Sequence, residues 1–173
     1  MEGTLLAADD PSAQKVIRGF GERDRGAFTA MVARYQPDLL RVCYVILGDA
    51  SLAEDAAQSA WVQAWRKLDQ LRDAQKLRSW LVAVAANEAR QIARRRRPVP
   101  GSADAIPWDD ADPRLADLTA ALARLTVDER RLLSLRYVAE LSSDEIGKAI
   151  GASAGAVRHR LARLLARLRE DLG

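Results

Sequence analysis

Ser142-Ser-Asp-Glu-Ile-Gly-Lys-Ala-Ile-Gly-Ala-Ser-Ala-Gly-Ala-Val-Arg-His-Arg160 contains two helix starts separated by a single glycine step. Ser142 can accept from the amide of Glu145 while the Glu145 carboxylate reaches back, which is a capping box. Gly151 suits a backbone that must leave the first helix in a left-handed conformation, and Ser153 is placed to cap the second helix. Stepping about 100° per residue puts Val157, Leu161, Leu164 and Leu168 on one stripe, with Leu165 at its edge. Gly155, Ala156, His159 and Arg163 then face away from the core. Arg158 and Arg169 flank that face on one side, Arg160 and Arg167 on the other, and no acidic residue stands between Val157 and Arg169. Two capped helices at this separation predict a helix-turn-helix whose second helix enters a DNA major groove. Its DNA contacts are expected from Ser153, Gly155, Ala156, Arg158, His159, Arg160, Arg163 and Arg167. A lone basic amphipathic helix is often only a solvated surface helix; the paired caps argue for the DNA reader.

Upstream of this unit the periodicity is helical throughout. Pro98-Val-Pro-Gly-Ser-Ala-Asp-Ala-Ile-Pro-Trp-Asp-Asp-Ala-Asp-Pro113 interrupts it with four prolines, four aspartates and no helical period, so it reads as a flexible acidic linker. The spacing predicts helices over 12–19, 25–35, 38–47, 52–68 and 77–97 before the linker, and over 114–125 and 128–138 after it. The capping boxes Ser51 to Glu54 and Thr126 to Glu129 introduce two of them. Residues 41–47 have strand propensity, but no neighbouring segment offers a partner strand. The expected fold is all-α, with two small helical domains over 1–97 and 114–173 joined by the linker over 98–113.

Composition narrows the function. The formal net charge is only +3, yet Arg90 and Arg94 to Arg97 form one cationic block and the last helix another. Local charge of this kind marks nucleic-acid binding. Cys43 is the sole cysteine, so no internal disulfide can form, and its apolar neighbours suggest a buried thiol in a reducing compartment. No apolar run approaches the roughly 20 residues of a membrane span, and no secretory segment follows Met1. These features predict a cytoplasmic protein that does not insert into a membrane. One histidine, one cysteine and no metal-ligand spacing give no basis for an enzyme, a metal site or a cofactor.

The N-terminal half carries two further patterned helices. The first places Ala57, Trp61, Ala64, Trp65 and Leu68 on a core face and Asp55, Ser59, Val62 and Arg66, with Gln58 at the margin, on the opposite one. That second strip is either solvated surface or a docking strip for a large partner. The other helix is expected to bury Leu77, Leu81, Val84, Ala85 and Ile92 and to line a second face with Ala83, Asn87, Arg90 and Arg94. An asparagine and two arginines in a row point toward nucleic acid. Trp80 lies between the two faces, where it either completes the core or stacks on an unpaired base.

Phe28-Thr-Ala-Met-Val-Ala-Arg-Tyr35, Ala53-Glu-Asp-Ala-Ala-Gln58 with Trp61 and Ala64-Trp65, and Trp80-Leu81 with Val84-Ala-Ala-Asn87 together resemble region 2 of bacterial RNA polymerase sigma factors of the extracytoplasmic-function (ECF) group. Leu125-Thr-Val-Asp-Glu-Arg-Arg-Leu-Leu-Ser-Leu-Arg-Tyr137 and Leu141 through Leu161 resemble region 4 of the same group. The resemblance implies an alternative sigma factor that binds core RNA polymerase and directs promoter-specific initiation. It implies docking of Asp55, Gln58, Ser59, Val62 and Arg66 on the clamp helices of the largest polymerase subunit. It also implies recognition and melting of the downstream (-10) promoter element by Arg72, Lys76, Trp80, Asn87, Arg90 and Arg94. Reading of the upstream (-35) element falls to the last helix, and an anti-sigma factor, membrane-bound in some cases, is implied as a further partner. Extruding a base for such melting costs a few kcal/mol, offset by stacking and hydrogen bonds. The competing expectation is a helix-turn-helix repressor or activator that works without the polymerase. It would leave the tryptophan-bearing helix, the Asn87 face and the arginine block without a shared purpose.

Overall fold

The computed structural model describes residues 25–71, 73–96 and 120–172. The expected helix over 12–19, the linker over 98–113, Arg72, Arg97 and most of the expected 114–125 helix lie outside the described residues. Every regular element among those described is helical: α1 Arg25–Leu47, α2 Ala50–Lys67, α3 Leu77–Arg95, α4 Val127–Leu133, α5 Ser143–Ile150 and α6 Ala154–Leu172. A helical turn over 120–123 precedes α4.

The first three helices form one layer of mutual packing. From α1, Met31, Tyr35, Leu39, Val42 and Ile46 are buried; α2 contributes Ala53, Ala56, Ala57, Ala60 and Ala64, and α3 contributes Leu77, Leu81, Ala85 and Ala89. The alanines of α2 matter because small side chains let helix axes approach, while the large residues of α1 and α3 fill the space between. Cys43 is fully buried, and its thiol faces the Ala85 carbonyl at 3.5 Å. Burial and, second, the Glu88 carboxylate push that thiol up to about 12.

Several local expectations need correction. The two helices expected over 25–35 and 38–47 are one, because α1 runs through Pro37. Proline removes one backbone donor and disfavours a helix interior, but Tyr35 and Leu39 are buried on either side of it, and their packing outweighs the loss. The cap of α2 is not Ser51: Asp49 adopts the extended cap conformation and its Oδ1 accepts from the Leu52 amide at 2.9 Å. An aspartate two residues upstream captures the free amides first. Trp65 leaves the core with 38 % exposure and packs edge-on against Phe28 at 4.8 Å, whereas Trp61 is buried and donates from Nε1 to Gln36 Oε1 at 2.5 Å. On α3, Val84 and Ile92 are only half-buried, while Val82, Ala86 and Ala89 are buried. A helix covered on two sides does not follow a single-stripe pattern. α4 ends at Leu133 and passes into a π-turn over Ser134–Val138, closed by Ala139 N–H donating to Ser134 at 2.9 Å.

The helix-turn-helix forms as its caps predict. The boxes at Thr126/Glu129 and Ser142/Glu145 are both complete. Gly151 has φ 72° and exits α5 left-handed, and Ser153 Oγ accepts from the Ala156 amide at 3.1 Å. Gly147 has a different reason to be glycine: a Cβ there would stand 2.5 Å from the Ala152 carbonyl oxygen, so the tight turn into α6 leaves no room for one.

Candidate nucleic-acid interface

Helix α6 buries Val157, Leu161, Leu164 and Leu168 and leaves Leu165 half-buried, as the stripe predicts. Ser153, Gly155, Arg158, His159, Arg160 and Arg163 are exposed, and Ala156 is half-buried. Arg167 is also exposed, but its Nη2 meets Glu129 Oε1 of α4 at 2.6 Å. The face away from the core is thus cationic along its length, with small residues at its N-terminal tip, a geometry suited to phosphate contacts flanking a groove.

On α2, Asp55, Gln58, Val62 and Arg66 are exposed and Ser59 is half-buried, on the side opposite the Ala53, Ala60 and Ala64 core face. Val62 is 50 % exposed. An isolated half-exposed valine between charged residues leaves a strip able to dock without aggregating.

The -10 candidates separate into two groups. Lys76 pairs with Asp73 at 2.8 Å on the turn before α3, Trp80 is half-buried against the core, and Arg94 is exposed. Asn87 and Arg90, in contrast, are held by residues that follow the linker. Arg131 of α4 donates from Nη2 to Asn87 Oδ1 and also to the Ala149 carbonyl at 2.9 Å. Arg90 Nε donates to Asp128 Oδ1 at 2.5 Å, and the Arg90 guanidinium holds the Asp128 carboxyl below its ordinary range. A third bridge comes from Arg78, whose Nε pairs with Asp38 at 2.8 Å and whose Nη1 donates to the Ala139 carbonyl at 2.7 Å. In this closed pairing α4 covers the polar face of α3. While α4 lies there, the polar groups of Asn87 and Arg90 are engaged by Arg131 and Asp128.

Arg78, Asp128 and Arg131 were not among the sequence-derived candidates. A signal existed for Arg131: in a helix as short as α4, with Leu132 and Leu133 both inward, one of two adjacent arginines must turn inward with them. Arg131 is only 7 % exposed, and its Nε has no hydrogen-bond partner. Burial pushes its guanidinium below the ordinary value, as does repulsion from Arg90. Arg131 also lines a cavity of about 620 Å³ between the two halves, shared with Arg90, Asp128, Leu132, Ile150 and the outward arginines of α6. No group of histidine, cysteine, aspartate and glutamate side chains among the described residues is arranged to hold a metal ion.

Residues 31–99 match sigma-70 region 2, and residues 115–168 match sigma-70 region 4. The chain is 28% identical to the ECF RNA polymerase sigma factor SigW of Bacillus subtilis over 179 residues, which span 92% of this chain and 96% of that protein. It is 33% identical to the RNA polymerase sigma factor CarQ of Myxococcus xanthus over 164 residues, 89% of this chain and 94% of that protein. Its fold superposes with a TM-score of 0.66 and 25% identity on the sigma factor RpoE of Bartonella quintana, solved in complex with the anti-sigma factor NepR, covering 84% of this chain and 96% of that one. The ordered pair of regions and the full-length relatives establish that the chain belongs to the sigma-70 family of RNA polymerase sigma factors, in its ECF group, and is an alternative sigma factor that directs transcription initiation.

Proposed function

We propose that residues 1–97 bind the polymerase and open the -10 element, that residues 114–173 read the -35 element, and that 98–113 is a tether between them. The observation that carries this reading is the placement of Asn87 and Arg90 on one face of α3, next to half-buried Trp80 and exposed Arg94. An amide, an aromatic edge and two cations on one helix suit a displaced single strand: the cations follow phosphates and the ring and amide engage an unstacked base. Lys76 extends that surface at the start of α3, and Arg72, outside the described residues, is assigned to the same role from the sequence.

The strip of exposed Asp55, Gln58, Val62 and Arg66 with half-buried Ser59 is the docking surface for the clamp helices of the polymerase. On α6, Arg158, Arg160, Arg163 and Arg167 hold phosphates or guanine edges, and Ser153, Gly155, Ala156 and His159 approach the bases at the helix tip. The chain acts in the cytoplasm, where the polymerase works, and carries no catalytic chemistry of its own; none of its described helices is long and apolar enough to cross a membrane. An anti-sigma factor holds it inactive by stabilising a pairing in which Asn87 and Arg90 are already occupied, a reading supported by the Bartonella quintana sigma factor having been solved in complex with one.

The test is a permanganate footprint of promoter DNA with core polymerase and either the unaltered chain or Asn87→Ala. The expected result is loss of reactivity in the melted region at unchanged polymerase binding. Full melting by Asn87→Ala contradicts the assignment.

A further inference from the structure

The cavity lined by α3, α4, α5 and α6 holds a buried arginine donor that neither helix packing nor DNA recognition accounts for. Arg131 projects into it, nine-tenths buried, with its Nη2 on two neutral acceptors and its Nε on none. Among the described residues no carboxylate forms an ion pair with it. The carboxylate that acts on its charge, Asp128, is hydrogen-bonded to Arg90, so the buried Arg131 Nε is left without an acceptor, which is costly. Four more arginines share the lining with only two carboxylates, Asp128 and Glu129, so the walls carry a clear positive excess. The remaining wall is apolar and formed by Leu132, Ile150 and Leu164. A cavity of about 620 Å³ falls within the range that holds small organic ligands.

We propose that this cavity binds a small phosphorylated organic anion of nucleotide size, with its phosphates on Arg131 and the facing arginines and its flat body against Ile150 and Leu132. Arginine forks match phosphate oxygens in pairs, and the orphaned Arg131 Nε gains an acceptor. A compact ligand is favoured over an acidic protein segment because the donor in need of an acceptor is a single buried nitrogen in a wall shared by α3, α4, α5 and α6. The site exists only while α4 lies on α3, so occupancy favours the closed pairing over the form that releases Asn87 and Arg90. That regulatory consequence rests on the proposed function; the binding itself does not.

The experiment is calorimetric titration of the full free chain with ADP, adenosine and pyrophosphate in separate runs. One saturable ADP site is expected, at least tenfold weaker for adenosine and for pyrophosphate. Arg131→Gln removes the buried cation and Ile150→Trp fills the cavity from its apolar side; each is expected to weaken ADP at least tenfold, while Arg66→Gln, exposed on α2 and absent from the cavity lining, leaves it unchanged. The Trp variant retains all the arginines, so it separates loss of the cavity from loss of charge. Absence of saturable ADP binding overturns the proposal, as does equal binding by all variants, which marks diffuse surface charge. Pyrophosphate binding as tightly as ADP overturns the organic part of the assignment. Because no polymerase or promoter is present, none of these failures touches the sigma reading.

Discussion

Asn87 on α3 accepts a hydrogen bond from Arg131 on α4, so the residue we propose meets a flipped promoter base is occupied by a residue 44 positions along the chain. Arg90, one turn along α3, is occupied in the same way by Asp128. On the proposed function the contact couples two functions through one surface: while α4 is docked, the proposed -10 face is occupied, and promoter opening is expected to require the halves to separate.

Asp128→Ala is expected to loosen this pairing without unfolding the chain. The Asp128 side chain is 64% exposed, so its pair with Arg90 is worth at most about 1 kcal/mol of stability. Small-angle X-ray scattering of the variant is expected to give a larger radius of gyration at a melting temperature close to that of the unaltered chain. An unchanged radius contradicts a role for the pair in holding the closed form.

Arg163→Ala and Arg158→Ala are expected to weaken use of the -35 element by about 1–3 kcal/mol where the arginine is bidentate to a guanine, and to relax preference at that base. Holoenzyme binding to promoters carrying single substitutions in that element measures this. Equal affinity for all sequences before and after substitution contradicts the assignment of α6 as the reader.

Gly147→Ala is expected to destabilise the helix-turn-helix by about 1–3 kcal/mol, because its Cβ would fall 2.5 Å from the Ala152 carbonyl and the turn must open to admit it. Gly151→Ala meets no neighbour and is expected to lose only about 1–2 kcal/mol, from the left-handed backbone alone. Urea denaturation ranks the two; a reversed order contradicts the packing described for this turn.

Acid is expected to weaken the protein through three carboxylates. The Arg90 hydrogen bond holds Asp128 low. Burial alone would raise Glu129 and Glu145, but the cap hydrogen bonds from Thr126 and Ser142, with Arg167 and Ser79 respectively, bring both below the ordinary value. Depressed carboxylates contribute stability that is complete above their unfolded values, near pH 4, and is lost as the pH falls through the folded ones. Thermal melts are expected to be flat from pH 7 to about 5 and to drop below about 4. Stability that rises toward acid pH contradicts this sign.

Much of the fold was legible because its signals are local. The capping boxes at Thr126 and Ser142, the left-handed Gly151 and the apolar stripe of α6 each follow from residues within one or two turns of each other, and all appear as expected. Expectations failed where distant packing decides. Pro37 stays inside α1 because the helices around it hold Tyr35 and Leu39; Trp65 lies at the core's edge, packed edge-on against half-buried Phe28; α3 buries Val82 and Ala86 because it is covered on a second side. The same limit applies to the site. The exposed faces of α2 and α6 were readable from periodicity, whereas the bonds of Arg131 to Asn87 and Asp128 to Arg90 span 44 and 38 residues and carry no local signature.

Transcription from a promoter library with purified core polymerase, with and without this chain, tests the central claim most directly. The predicted result is chain-dependent initiation from a subset of templates that share two elements, one upstream and one at the melted region. No initiation, together with specific DNA binding by the chain alone, would contradict it.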